Sequence, residues 1–223
     1  MDRETRNLEE VRRSNREKLE KAFAAFEKQV LAMLDTSSEN EPTVQLYSEP
    51  FELIRTDGKL QRFKIRLKPL NLQKRNFSID VDIVDAKDLT PEANRSVYTD
   101  PTGEVSIDSI RRKLDLRTVE YWSEIKIIYE SLKSVGVGSA LLDQSEKLVI
   151  SIWEKIGPSK NIDTLQIILR DRSNPPMWTS RQAEKSGYLA AGTDKEGDPR
   201  FKKEISLSKR RSRLRGLLGR FSD

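Results

Sequence analysis

From residue 3 to residue 34 the apolar positions Leu8, Val11, Leu19, Phe23, Phe26, Val30, Met33 and Leu34 recur at steps of three and four among alternating charges. That spacing predicts one long amphipathic helix, residues 1–35. The stripe is narrow in its first half, and only about two heptads are well filled. A helix docked on its own domain is the plainer reading; a two-helix or coiled-coil contact with a protein partner through residues 3–34 is the sharper one.

After a polar linker, residues 36–42 (TSSENEP), the period changes. Val44 to Ile54, Phe63 to Leu67 and Phe77 to Val84 are β-rich, with Asp57-Gly58 as a turn and Pro69 to Arg75 as a loop. In the third run Phe77, Ile79, Val81 and Ile83 share one face while Ser78, Asp80 and Asp82 share the other, which predicts an antiparallel strand with one buried face. Asp80, Asp82, Asp85 and Asp88 admit a metal or polyamine reading, but carboxylate ligands must converge from several segments. The expectation is a wet strand face, and no metal is assigned.

Thr90 to Leu114 holds a turn at Asp100-Pro101-Thr102-Gly103 and a short strand or helix. Val119 to Tyr129 then predicts a strand, and Gly138 to Ile156 a helix carrying Leu141, Leu142, Leu148, Val149, Ile152 and Trp153. Thr164 to Leu169 predicts a buried strand, Pro175 to Lys185 a short helix opened by proline, and Tyr188 to Ile205 a closing hairpin. Antiparallel strands followed by β-turn-α-β-α-β make an α+β domain with a mixed, mostly antiparallel sheet over residues 43–207.

The junction Lys133-Ser134-Val135-Gly136-Val137-Gly138-Ser139-Ala140-Leu141-Leu142 joins a predicted strand to a predicted helix. Glycines let a backbone approach a phosphate closely, and the free N–H groups and positive dipole end of a helix's first turn hold negative charge. The same pattern also serves a tight connection that needs positive φ. A dinucleotide fingerprint wants a third glycine where Leu141 stands, and no Gly-Lys-Ser/Thr occurs to make a phosphate-binding P-loop.

Composition narrows the chemistry. The 223 residues include no Cys and no His, which removes disulfides, thiolate nucleophiles, imidazole bases and the usual zinc and haem ligands. Glu, Asp, Lys, Tyr, Ser or backbone groups must do any chemistry. The N-terminus MDRETRNLEE lacks a signal peptide's apolar core, and no run approaches the ~18 apolar residues of a membrane span, so a cytoplasmic protein is expected.

With this order fixed, roughly residues 119–205 resemble the GNAT superfamily of acetyl-CoA-dependent N-acyltransferases. Members carry Gln/Arg-x-x-Gly-x-Gly/Ala between their fourth strand and third helix, which reads here as Lys133-Ser134-Val135-Gly136-Val137-Gly138 followed by Ser139 and Ala140. A second family segment, an Asn after the fifth strand and then Tyr-Glu-Lys-x-Gly-Phe, is recognisable as Asn174 and Ala183-Glu184-Lys185-Ser186-Gly187-Tyr188. The resemblance implies that Lys133 to Ala140, with Asn174, hold the pyrophosphate of acetyl-CoA or another acyl-CoA.

It further implies direct attack of an amine on the thioester, needing a base, oxyanion donors and an acid for the leaving thiolate. The candidate base is Glu124, if burial beside Trp122 or Tyr121 raises its pKa; the plainer alternative is a solvated strand carboxylate. Ala183 stands where the family has its acidic tyrosine, leaving Tyr188, Tyr129 or water. Trp178 and Met177 are candidates for the wall of an acyl channel or for core. Lys133 in place of Gln or Arg keeps a positive charge but not a planar fork. Enzymatic acyl transfer to an amine leads; a fold that has lost catalysis and joins partners is the competing reading.

The net charge of +5 is confined to residues 208–223, where six of the 41 basic and one of the 36 acidic residues lie. In SKRRSRLRGLLGRFSD, Leu214, Leu217, Leu218 and Phe221 fall on one helical face ringed by arginines, the pattern of a basic amphipathic helix. Gly216 and Gly219 oppose a helix in the unbound tail. Because its apolar face is as marked as its charge, an anionic membrane surface or a protein groove is favoured over nucleic acid. A disordered solubilising tail is the plainer alternative.

Overall fold

The computed structural model describes residues 3–37, 42–72, 78–98, 118–127, 132–170, 178–194 and 196–207. Asn174, Tyr129, Met177, Phe77, the 100–103 turn and the basic segment 208–223 lie outside the described residues. The elements are α1 (Arg3–Thr36), β1 (Leu46–Tyr47), β2 (Phe51–Ile54), β3 (Leu60–Leu67), β4 (Ile79–Asp85), β5 (Pro91–Tyr98) and β6 (Thr118–Ile127), then α2 (Val137–Ile156), β7 (Thr164–Arg170), α3 (Trp178–Lys185), β8 (Leu189–Thr193) and β9 (Pro199–Ser206). Strand pairing is mixed and mostly antiparallel, helices flank it, and a long N-terminal helix precedes it, so the fold is α+β. Two compact units are formed: Met1–Ser96 with Glu124–Val149, and Val97–Ser123 with Ile150–Asp223.

In the first unit β3 is the organising strand. It pairs antiparallel with β4 along Phe63–Leu67, and with β1 and β2 in succession along its other edge. The run 44–54 is two strands because Ser48 interrupts it with its own side chain: the Ser48 Oγ accepts the Ile65 N–H at 2.8 Å while the Ser48 N–H donates to Ile65 O at 2.8 Å. Thr43 repeats the device on Leu70, its Oγ1 accepting at 2.8 Å and its N–H donating at 2.9 Å. Hydroxyls thus continue the ladder where regular pairing stops.

The predicted wet face of β4 requires correction. Asp82 is 1% exposed and Val84 is fully buried, so both faces of this strand are covered. Asp82 survives burial because the Arg66 guanidinium, directly opposite in register, holds its Oδ2 through Nε at 2.9 Å and through a second nitrogen. Burial works against the Arg66 charge, and the Asp82 carboxylate with Tyr47 outweighs it, raising the Arg66 pKa. Asp85 and Asp88 are turn residues: Asp85 Oδ1 accepts the Lys87 N–H at 2.7 Å and Asp88 Oδ1 the Thr90 N–H at 2.9 Å. Asx turns account for both.

Helix α1 is part of this unit's core. Leu19, Phe23, Phe26, Val30 and Leu34, spaced four, three, four and four residues apart, are buried, and the helix packs on β2 and β3. Its first turns carry Leu8 at 37% exposure. In α2 the residues from Ala140 to Leu142 and Leu148 to Ile150 are buried, as are Gln144, Ser145 and Glu146, so this helix is covered on nearly all sides.

In the second unit β7 is central. It pairs parallel with β6 over Thr164–Leu169 against Thr118–Ser123, and antiparallel with β9, which pairs antiparallel with β8. Leu165, Ile167 and Leu169 are fully buried, as the uniformly apolar run predicts for a parallel-paired strand. Helix α3 rests on β8 and β9 and ends at a positive-φ Gly187.

Truncating the fully buried Phe26 tests the place of α1 in the core. Phe26→Ala should lower the unfolding free energy by about 3–5 kcal/mol in urea titration. A loss within experimental error would show that α1 folds apart from the sheet.

Candidate functional site

The glycine turn is where α1, β2 and α2 meet within the first unit. Residues 133–136 form the turn and α2 starts at Val137. Ser134 has φ 62° and Gly136 φ 84°. Gly136 has a second reason to be glycine, since a Cβ there would stand 3.1 Å from the Arg12 Cα and 3.1 Å from the Arg12 carbonyl oxygen. The helix backbone of α1 lies directly against the turn.

Polar contacts fix that approach. The Arg12 Nε donates to the Ser134 carbonyl at 2.8 Å. The fully buried Asn15 donates through Nδ2 to Val135 O at 3.1 Å and to Ile54 O at 2.8 Å, and its Oδ1 accepts the Ile54 N–H at 2.8 Å. Further along, Arg16 pairs with Asp143 at 2.5 Å and Gln144 Nε2 donates to Glu20 Oε1 at 3.2 Å. With the Arg16 side chain 50% exposed, that ion pair contributes about 0–1 kcal/mol.

The start of α2 carries no side-chain cap. The first-turn N–H groups of a helix have no partner within it, and α2 has neither a side-chain cap at Gly136 nor an acid in its first turn. Lys133 and Ser134 are exposed, Gly136 and Ser139 half-buried, and Val135, Val137, Gly138 and Ala140 buried. Glu124 begins the part of β6 that belongs to the first unit; the structure describes it by its backbone alone.

Tyr188 belongs to the second unit. It is 3% exposed, its N–H donates to Ala183 O at 2.9 Å, and the Lys203 ammonium lies 5.4 Å from its ring centroid. Ala183 is fully buried and closes the end of α3 by accepting from Ser186 and Tyr188. A side chain at position 183 faces the interior of its unit, and Tyr188 is placed as a packing residue under a cation.

Among the described residues, the acids that converge are Asp194, Glu196 and Asp198, with oxygens within 4.8 Å of one another, and not Asp80, Asp82, Asp85 and Asp88. The Asp194 Oδ1 accepts the N–H groups of Glu196 and Asp198 at 2.9 Å each, which explains that cluster as a hairpin turn.

Two groups escape the sequence reading. Asn15 is legible in retrospect, as the polar residue midway in the gap of the α1 stripe between Val11 and Leu19. Glu92, 4% exposed on β5, has an Oε2 with no hydrogen-bond partner among the described residues. Burial first, then the charges of Asp85 and Asp88, raise its pKa against the opposing effect of Arg55.

No protein-family model matches the chain, and no curated protein matches it. Solved structures similar to it include the GNAT domain of S. lividans PAT, with 10% identity and a TM-score of 0.38 over 70% of this chain and 97% of that one. An aminoglycoside acetyltransferase in complex with coenzyme A matches at 16% identity and a TM-score of 0.35, over 60% of this chain and 69% of its own. The ribosomal-protein-S5-alanine acetyltransferase of Vibrio fischeri matches at 7% and 0.34, over 58% and 62%.

Gly136→Ala should cost about 1–3 kcal/mol in chemical unfolding, from positive φ and the collision with α1 together. Gly58→Ala shares the positive φ but has open space around its Cβ, and so should cost less; equal losses would remove the α1 contact as a cause. For Glu92 the raised folded pKa means that the unfolded chain gives up its proton first. Stability therefore declines as pH rises from the ordinary glutamate value through the raised one. Glu92→Gln should abolish that decline and stabilise the protein at neutral pH, measured as unfolding free energy against pH.

Proposed function

We propose that the chain is an acyltransferase of GNAT type, which binds acetyl-CoA or another acyl-CoA at Lys133 to Ala140 and passes the acyl group to an amine. The observation that carries this reading is the uncapped start of α2: a glycine turn beside Lys133, at the positive end of a helix dipole. A pyrophosphate matches such a surface in charge and in its need for several donors. The sequence resemblance over residues 119–205 supplies the choice of coenzyme A among pyrophosphate ligands.

The reaction suits a protein with neither His nor Cys. The amine nitrogen uses its lone pair to form the C–N bond, the C–S bond breaks, and the thiol of coenzyme A takes up a proton as the nitrogen gives one up. We assign the base to Glu124 on β6. The burial of Ala183, and of Tyr188 under Lys203, favours a second reading in which ligand binding persists without turnover. The protein would then join partners, with residues 3–34 and the basic segment 208–223 as the surfaces offered to a protein or an anionic membrane.

Calorimetric titration with acetyl-CoA decides the first point: binding is expected, and its absence at millimolar ligand would sink the reading. Gly138→Glu should abolish binding while the unfolding transition persists. In a thiol-release assay with a panel of amines, Glu124→Gln should lower kcat by about 10²-fold and leave acetyl-CoA affinity unchanged. Binding without thiol release from any amine would establish the non-catalytic reading instead.

A further inference from the structure

We infer that Arg12 and Asn15 of α1 are positioning residues that aim the glycine turn's N–H groups at the ligand phosphates; this rests on the acyl-CoA reading above. In a trans peptide the carbonyl of one residue and the N–H of the next point in opposite directions. Arg12 draws the Ser134 carbonyl toward α1 at 2.8 Å, so the Val135 N–H points away from α1. Asn15 draws the Val135 carbonyl the same way at 3.1 Å, so the Gly136 N–H also points away.

Neither N–H has a hydrogen-bond partner among the described residues. These two donors directly precede the first turn of α2, and successive backbone N–H groups turned to one side are an arrangement that binds anions. Its orientation is set by side chains more than a hundred positions away: Arg12 reaches Ser134 across 122 positions and Asn15 reaches Val135 across 120.

Asn15 cannot slide, because Ile54 saturates the rest of its amide from the other side. Gly136 completes the arrangement by letting the α1 backbone come within 3.1 Å of the position a Cβ would take. The role of α1 at the site is therefore to hold two peptide planes in one of their two orientations. Reversing either plane would turn a carbonyl oxygen toward the phosphates and repel them.

The test uses the full chain and compares coenzyme A with pantetheine, which has the thiol arm but no phosphate. Arg12→Lys keeps the charge and loses the guanidinium Nε, Arg12→Met loses both, and Arg13→Met removes an exposed charge one position away. Both Arg12 variants should weaken coenzyme A binding by about tenfold, one lost charge-assisted contact's worth. Pantetheine affinity, and coenzyme A binding by Arg13→Met, should be unchanged. Wild-type affinity in Arg12→Lys would overturn the inference by showing that charge alone acts, and a parallel loss of pantetheine would overturn it by showing a general structural defect. Failure of the unsubstituted chain to bind coenzyme A would instead overturn the acyl-CoA reading itself, and the inference with it.

Discussion

The first unit depends on one buried amide. Asn15 contributes three hydrogen bonds in a position where an apolar residue would continue the helix stripe, and they tie α1 to the end of β2 and to the turn before α2. A buried amide with its donors and acceptor satisfied specifies a register that apolar packing alone leaves free, because a one-turn slip would strand polar groups away from water. Leu19, Phe23 and Phe26 supply the driving force for docking. Asn15 supplies its address.

Around that constraint, glycine and arginine take complementary parts. Gly136 permits contact between backbones, and Arg12 spans the same contact from the exposed side with a rigid donor. The turn therefore meets its packing demand through these two residues. Of the two explanations of Gly136-Val137-Gly138 offered by the sequence, the tight connection is visible in the positive φ of Gly136 and the close approach of the α1 backbone.

Much of the fold was legible because the periodicities are strong. The four-and-three spacing of α1, the apolar run of β7 and the proximity of glycines to α2 each follow from local pattern. Asp82 was misread for a reason that pattern cannot show: alternation marks one buried face, and only the register opposite Arg66 reveals that the other face is buried as well. Glu92 gave no local signal either, since its environment is made by Asp85, Asp88 and Arg55 from other turns and strands. At the site, the turn could be read from its glycines. The residues that orient it could not, because helix spacing says which positions face inward but not which carbonyls they meet.

The distance in sequence between α1 and the turn has a consequence for synthesis. The first unit is discontinuous, so α1 leaves the ribosome long before residues 124–149 exist to receive it. During that interval Asn15 lacks its Val135 acceptor, and Phe23 and Phe26 rest on an unfinished sheet. Contacts of such separation form late and slowly. The nascent chain holds α1 against β2 and β3 alone until the turn before α2 is made.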